Sequence, residues 1–306
     1  MAGYIVHKAI EPDALSARTK AALETRQDWI ISPKYDGCQV VFFFKDGQHV
    51  MTKSRGGEAV QSMQHIADKL VALFKHHIQF GQIAICGEAW THGRDFNELS
   101  GMFRRQYPAL DLGFAPFDLV AWEYRADTFS GPAVELFSIV PYSIRVNALN
   151  QRQAGVGDGY VYRGRRYTLT GPLSYVMQVA EQEAKWYKAS TIGAYDGVVV
   201  ARANGSYIQG SGKGGEFIKC KPLISFTVTV HGAALDFGTK TGKNTAALKF
   251  MLDGIEQKVS TGLTQDQVNE ITAVGWDGYR IEVEAMGKTV NGFLREPRFK
   301  GIRTDA

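Results

Sequence analysis

The sequence is poor in cysteine and contains no long apolar run. Its three cysteines, Cys38, Cys86 and Cys220, lie far apart and form no Cys-x-x-Cys pair. This spacing argues against a disulfide framework or a zinc site and favours a reducing compartment. No apolar segment approaches the length of a membrane span, and residues 1–10 hold no apolar signal-peptide core. We therefore expect a cytoplasmic protein that does not associate with a membrane.

The sequence also lacks a large excess of charge of either sign. Among its 306 residues, 35 Lys and Arg stand against 31 Asp and Glu, which gives a net charge of +4. This mild basic excess permits a polyanionic partner but does not demand one. The length allows either one large core or two domains.

Residues 1–223 show several strand-like segments for each helix-like one. Helical spacing is found at 12–27, 60–77 and 173–189. Short runs of β-branched and aromatic residues indicate strands at 29–52, 82–90, 113–122, 197–201 and 216–221, with a hairpin turn at 45–48. Because the strands and helices do not alternate strictly, we expect an α+β domain with antiparallel sheets.

Residues 224–306 have a different character. Apolar and polar side chains alternate along 225–231, which is the pattern of a half-buried strand, and 278–287 and 290–294 repeat it. One helix is expected near 264–272. A short segment that is mostly strand with one helix predicts a small barrel such as an OB-fold.

Residues 34–37 read Lys-Tyr-Asp-Gly and lie between two apolar runs. An ordinary lysine is protonated at neutral pH and cannot act as a nucleophile. Burial and nearby cations lower the pKa of its amine and free the lone pair. A motif this short occurs by chance, so Lys34 needs support from the rest of the chain.

Four further side chains have both a structural and a chemical interpretation. Arg55, in a glycine-flanked turn, is either a surface residue or a phosphate ligand. Glu88 ends a buried strand, where a carboxylate needs a partner. Phe117 alone is typical of a core residue, and Asp196 before Gly197 is typical of a turn.

Lys219 and Lys221 stand two residues apart on a predicted strand, so both project from the same face. Two ammonium groups on one face repel each other unless an anion lies between them, which indicates a phosphate. The glycine-rich residues 210–215 lack the Gly-Lys-Ser/Thr ending and the following helix of a P-loop. The basic segment 295–305 contains Phe299 and Ile302, which indicate that it packs rather than remaining solvated.

Taken in order, these segments resemble the nucleotidyltransferase signature of ATP-dependent DNA ligases, in the compact two-domain form of phages and some bacteria. The resemblance implies that Lys34 is the residue that becomes adenylated and that Asp36 belongs to its catalytic motif. It implies metal binding by Asp196 and Glu88, and stacking of Phe117 on adenine. It implies that Lys219 and Lys221 are catalytic residues on the α-phosphate. The further nucleotide contacts that it implies are Arg55, Glu88, Lys219, Lys221, Arg298 and Arg303.

The resemblance also implies the reaction and its components. Lys34 takes AMP from ATP with Mg²⁺ (Mn²⁺ could substitute), AMP passes to the 5′-phosphate of nicked double-stranded DNA, and the 3′-hydroxyl then expels it. A monomer without a large helical DNA-binding domain is expected, located in the host cytoplasm if the protein is phage-encoded. The domains would be an adenylation domain at 1–223 and an OB-fold domain at 224–306.

The sequence departs from the ligase pattern at three positions. Gln39 stands where relatives usually carry arginine, Asp196 replaces a glutamate, and Ala306 ends the chain where a lysine often follows. Three alternatives stay open: an mRNA-capping guanylyltransferase, an RNA ligase, and a nucleic-acid-binding scaffold without catalysis.

Overall fold

The computed structural model describes residues 6–125, 133–153, 161–162, 165–189, 194–238, 242–289 and 291–303. The chain divides into two compact units, residues 1–221 (unit 1) and 222–306 (unit 2). The domain boundary expected after residue 223 falls two residues beyond this division and stays a prediction. Within the described ranges, no helix is long and apolar enough to cross a membrane.

Unit 1 is built on two antiparallel sheets. Its strands are β1 (His7–Lys8), β2 (Gln27–Tyr35), β3 (Cys38–Lys45), β4 (Gln48–Ser54), β5 (Gln82–Ala89), β6 (Phe114–Arg125), β7 (Ala133–Ser138), β8 (Tyr167–Gly171), β9 (Tyr195–Arg202), β10 (Tyr207–Ile208), β11 (Gly210–Ser211) and β12 (Phe217–Cys220). The larger sheet has the order β10-β7-β6-β5-β3-β4 and the smaller one the order β12-β9-β2-β8. β1 and β11 form a short parallel pair. The predicted α+β class with antiparallel sheets is confirmed.

Five helices accompany these sheets in the described part of unit 1: α1 (Ala17–Leu23), α2 (Gln64–Ile78), α3 (Phe96–Phe103), α4 (Tyr142–Gln153) and α5 (Leu173–Ala189). The helix predicted over 12–27 is shorter, because the Ser16 side chain accepts from the Thr19 N–H and starts α1 there, after a 3-10 turn. Residue 27 already belongs to β2. Neither α3 nor α4 was predicted from the sequence, although Asp95 and Glu98 form a capping box at the start of α3.

The hairpin predicted at 45–48 is confirmed. Asp46 and Gly47 have φ values of 47° and 82°, as a two-residue hairpin turn between β3 and β4 requires. β3 is buried on both faces: Phe42 packs with α2 on one side, and Phe43 packs with Trp122 on the other. This strand therefore anchors the larger sheet in the core.

β2 presents different environments on its two faces. Trp29 and Ile31 pack with the helix α5 in one cluster, whereas Ile30 packs with Tyr142 on the opposite side. Since side chains alternate along a strand, Lys34 projects from the Ile30 face, away from α5. That face carries the candidate site.

Unit 2 is a five-stranded antiparallel sheet with one helix. Its elements are β13 (Ile224–Gly238), β14 (Lys243–Leu252), β15 (Ile255–Val259), α6 (Gln265–Val274), β16 (Arg280–Ala285) and β17 (Arg298–Ile302). The strand order is β15-β14-β13-β16-β17. Thr264 and Gln267 form a capping box, which starts α6 close to the predicted position.

Hydrogen bonds draw the two edges of this sheet towards each other. The buried Gln257 side chain on β15 donates to Gly292 O (3.1 Å) and accepts from Leu294 N (3.0 Å). Phe299 N on β17 donates to Thr261 O (2.8 Å). This curvature fits the predicted OB-type barrel. The strand predicted at 290–294 was wrong, since residues 291–294 contain only an isolated bridge at Leu294 and residue 290 lies outside the described ranges.

Candidate functional site

Lys34 and Lys221 share one carboxylate oxygen. Lys34 Nζ donates to Asp196 Oδ2 at 2.7 Å, and Lys221 Nζ lies 3.1 Å from the same atom. The Asp196 side chain is 5% exposed, against 26% for Lys34 and 13% for Lys221. Asp196 Oδ1 is buried and has no hydrogen-bond partner within the described residues. One oxygen is thus doubly paired, and the other is left for a further donor or a cation.

The charges around Lys34 favour its protonated form. Burial is the largest effect and lowers the pKa of Lys34, but Asp196, Glu88 and Asp36 together raise it above its ordinary value. For Asp196, burial raises the pKa, and Lys34 and Lys221 lower it below its ordinary value. From the sequence we expected burial and neighbouring cations to lower the Lys34 pKa, whereas the three carboxylates together outweigh burial. Lys34 must therefore lose a proton before it can act as a nucleophile.

The glycines that follow the two aspartates allow strands to approach closely. A Cβ at Gly37 would lie 2.2 Å from Ala89 O, and one at Gly197 would lie 2.1 Å from Cys220 O. Gly197 also has a φ of 124°, which favours glycine. Both glycines are needed to bring the strands together around the lysines, which is a structural role.

Glu88 stands on β5 opposite Gln39 of β3. Burial raises the pKa of this carboxyl to about 8. The charged groups that also act on it are, in decreasing order, Lys34, Asp36, Arg55 and Asp196. The fold thus brings Glu88 into electrostatic reach of four of the side chains predicted from the sequence.

Phe117 lies in β6, which pairs with β5. The residue is half-buried, and it packs against the cluster that contains Val41, Phe43 and Cys86. Cys86 and Glu88 are two residues apart on β5, so Phe117 and Glu88 share one side of the sheet. The ring thus has one supported face and remains partly accessible.

The other predicted residues are more dispersed. Lys219 Nζ lies 3.3 Å from Glu11 Oε1, and Arg55 is exposed after β4. Arg298 and Arg303 belong to unit 2, where Arg303 lies 3.3 Å from Glu282. Residues 304–306, the end of the predicted basic motif, lie outside the described ranges.

Several side chains around β6 were not predicted from the sequence. Arg145 pairs with Asp118, while Tyr142 and Arg166 donate to backbone carbonyls of Phe117 and Pro116. They follow β6 by many residues, in segments that are not strongly apolar. The only sequence signal was Asp118 itself, an acid in an apolar strand that would need a partner.

The residues present fit a Mg²⁺ ion that is bound partly by substrate and water. They do not form a site in which the protein supplies all the metal ligands within the described residues. The described part of the chain contains no group of three or more metal-binding side chains. Asp196 offers one unpartnered buried oxygen, and Glu88 is within electrostatic reach. Mg²⁺ is commonly held by one or two carboxylates, with substrate phosphates and water filling the other positions.

Two curated relatives are similar in sequence. The chain is 28% identical to DNA ligase 2 of Methanosarcina mazei over an alignment of 334 residues. This alignment covers 97% of this chain and 54% of that protein. The chain is 25% identical to DNA ligase 2 of Methanosarcina acetivorans, covering 89% of this chain and 51% of that protein. The chain thus spans about half the length of these relatives. No family model matches it.

Solved structures share the fold at lower sequence identity. Pmar-Lig_Pre. superposes with a TM-score of 0.72 at 19% identity, covering 99% of this chain and 68% of that one. A structure described as "DNA binding with a minimal scaffold: Structure-function analysis of Lig E DNA ligases" gives 0.62 at 16% identity, covering 97% and 99%. The ATP-dependent DNA ligase from bacteriophage T7 gives 0.52 at 18%, covering 98% of each chain. The predicted fold and the resemblance to DNA ligases are confirmed.

Proposed function

We propose that this chain is an ATP-dependent DNA ligase that seals nicks in duplex DNA. The observation that carries the proposal is the cluster of Lys34, Asp196 and Lys221, located in a fold shared with DNA ligases. The similarity to two proteins named DNA ligase 2 supports the substrate class. The bacteriophage T7 structure is a complex with ATP, which supports ATP as the nucleotide.

In the first step, Lys34 Nζ would attack the α-phosphorus of ATP. A phosphorus–nitrogen bond forms, the bond to the bridging oxygen breaks, and pyrophosphate leaves. Lys221 would offset the negative charge that develops on the α-phosphate. Mg²⁺ held by Asp196 and Glu88 would supply positive charge that counters the carboxylates keeping Lys34 protonated. Phe117 would stack on the base, and Arg55 and Lys219 would contact the nucleotide.

The next two steps would transfer AMP through DNA. The 5′-phosphate of a nick attacks the lysyl-AMP phosphorus, which releases Lys34 and leaves AMP on the DNA. The 3′-hydroxyl then attacks the activated 5′-phosphate, forms the phosphodiester and expels AMP. In unit 2, Arg298 and Arg303 would act on the pyrophosphate leaving group. We expect a monomer that works in the cytoplasm.

Covalent labelling tests the nucleophile. With ATP labelled at the α-phosphate and Mg²⁺, the wild-type chain should retain an acid-stable label, and Lys34→Ala should retain none. Lys20→Ala is a matched control, because Lys20 lies on α1 with a side chain that is 42% exposed and forms a 3.9 Å ion pair with Asp13. Label that persists in Lys34→Ala would contradict the assignment.

Nick sealing tests the polymer and the nucleotide together. A nicked DNA duplex should be sealed with ATP and not with NAD or GTP. Covalent label from GTP in place of ATP would favour a capping guanylyltransferase. Sealing of a nick in RNA but not in DNA would favour an RNA ligase, and absence of any covalent label would favour a non-catalytic scaffold.

A further inference from the structure

The strand β6 contains a bulge at Phe117. In the pairing of β5 with β6, Cys86 stands opposite Asp118 and Gly87 stands opposite Pro116. Phe117 is thus an extra residue without a partner on β5. A bulge removes ladder hydrogen bonds and redirects a side chain, and bulges are frequent beside active sites.

Side chains from outside the sheet bind the carbonyls at this bulge. The Tyr142 hydroxyl donates to Phe117 O at 3.1 Å, and Arg166 Nη2 donates to Pro116 O at 2.6 Å. On the following residue, Asp118 Oδ1 accepts from Leu119 N at 2.9 Å. Tyr142 is 2% exposed, so its hydroxyl group has few alternatives in water. The backbone on both sides of Phe117 is therefore fixed by side-chain hydrogen bonds.

A buried ion pair anchors the same segment. Arg145 meets Asp118 with two nitrogens, at 2.7 Å and 3.1 Å. Its third nitrogen donates to Gly205 O at 3.0 Å and also to Val140 O. Arg145 lies one helical turn from Tyr142 on α4, and its guanidinium stands 5.4 Å from the Tyr142 ring centroid. The pair therefore fixes α4, and with it Tyr142, relative to β6.

Tyr142 also contacts β12, the strand that carries Lys219 and directly precedes Lys221. Its ring meets Phe217 of β12 edge-to-face, with centroids 5.0 Å apart. Tyr142 N donates to Gly205 O at 3.0 Å, in the segment after β9. One side chain thus connects the bulge on the larger sheet with the smaller sheet that carries Lys34.

We propose that Tyr142, Arg145 and Arg166 are positioning residues that clamp the bulge and so orient Phe117 as the surface on which the nucleotide base stacks. The inference rests on the proposed function, because it needs a bound nucleotide. The base does not change during adenylation, so a loosened stacking surface weakens the ground state and the transition state equally. Loss of a clamp contact therefore raises KM for ATP and leaves the limiting rate of lysyl-AMP formation unchanged.

Single-turnover labelling over a range of ATP concentrations tests the clamp. Tyr142→Phe removes only the hydroxyl group and should raise KM about three- to tenfold, with a limiting rate within about twofold of wild type. Phe117→Leu should raise KM about tenfold or more, since it removes the stacking ring itself. In the Phe117→Leu background, Tyr142→Phe should add less than about twofold, because its effect passes through Phe117.

Ser62→Ala is the matched control. Ser62 is fully buried and donates to a main-chain carbonyl, Phe103 O, at 2.7 Å, so the variant loses a comparable hydrogen bond away from the bulge. Its KM for ATP should equal that of wild type. If Tyr142→Phe is unfolded at the assay temperature, Arg166→Met removes the donor to Pro116 instead and carries the same expectation.

The outcomes separate this inference from the proposed function. An unchanged KM in Tyr142→Phe, or an equal KM increase with and without Phe117, would refute the clamp while leaving the ligase proposal intact. If Phe117→Leu leaves KM unchanged, Phe117 does not stack on the base, and the proposed role of the clamp is refuted as well. No covalent label in the wild-type chain would overturn the proposed function, and this inference would fall with it.

Discussion

Two buried aspartates of unit 1 are paired in contrasting ways. Asp118 uses both carboxylate oxygens for the guanidinium of Arg145, and these side chains are 1% and 2% exposed. Asp196 uses one oxygen for both Lys34 and Lys221 and leaves the other without a partner in the described structure. The first carboxylate is saturated, whereas the second retains capacity to bind.

The basic partners explain why the two pairs suit different tasks. A guanidinium stays charged and fixes a planar, two-point contact, whereas an ammonium is a point charge whose pKa responds to its surroundings. Arg145 therefore gives Asp118 a geometry that does not change during a reaction. Lys34 can exchange its proton and its partner, as the proposed nucleophile must. We infer that the saturated pair supports the scaffold and the unsaturated one the chemistry.

The largest effect is expected from breaking the saturated pair. Arg145→Ala leaves Asp118 buried and uncompensated, which should cost about 3–5 kcal/mol in the free energy of unfolding. Urea unfolding of the full chain, followed by a signal that reports on unit 1, measures this cost. Replacing both residues together, Asp118→Leu with Arg145→Met, should recover most of it, since both charges are removed. A cost below about 1 kcal/mol for Arg145→Ala would show that this pair is not structural.

A substitution among Asp196 and its two lysines should affect activity more than stability. Lys221→Ala removes a cation from the proposed α-phosphate site and should slow lysyl-AMP formation about 100-fold, as loss of one transition-state donor does. Its free energy of unfolding should fall by less than the loss of about 3–5 kcal/mol expected for Arg145→Ala, because Lys34 still pairs with Asp196. Labelling kinetics of this variant test the predicted rate, and urea unfolding tests the predicted stability. A large loss of stability with an unchanged rate would reverse the comparison.

Glu88 should make the stability of unit 1 depend on pH. Burial raises the folded-state pKa of this carboxyl to about 8, so between its unfolded value and that pH the folded state binds the extra proton. Stability should therefore fall as pH rises from about 5 to about 8 and change little beyond it. Glu88→Gln should flatten this slope when urea midpoints are compared across the range. If stability depends on pH in the same way in Glu88→Gln as in the wild type, Glu88 is not the group that binds the extra proton.

The sequence allowed the main elements of the fold to be predicted because their patterns are local. The turn at Asp46 and Gly47 and the alternation along 225–231 depend on neighbours in the chain, and both were found in the structure. The missed helix α3 had its signal in the Asp95 and Glu98 capping box. Local chemistry was therefore sufficient for the elements that were predicted, whereas α4 and the strands β7, β8, β14 and β15 were not predicted.

The charge balance of the site could not be predicted in the same way. Lys34 and Asp196 are 162 residues apart, and the strength of their pairing depends on burial that no spacing reveals. From the sequence we predicted a phosphate near Lys219 and Lys221, but the sequence did not show that carboxylates surround Lys34. Tyr142 and Arg145 were missed for the same reason, since their contacts with β6 come from tertiary structure.

The smallest effect is expected at Glu11. Lys219 lies on β12 and Lys221 directly follows that strand, yet Lys219 Nζ lies 3.3 Å from Glu11 and Lys221 Nζ lies 3.1 Å from Asp196. The Lys219 and Glu11 side chains are 22% and 26% exposed, so Glu11→Gln should change the free energy of unfolding by about 0.2–1 kcal/mol. The rate of lysyl-AMP formation should stay within about threefold of wild type, because Lys219 keeps its place on the strand. If the rate of lysyl-AMP formation falls more than tenfold in Glu11→Gln, Glu11 belongs to the active site. Lys219 and Lys221 would then differ in their carboxylate partners but not in their function.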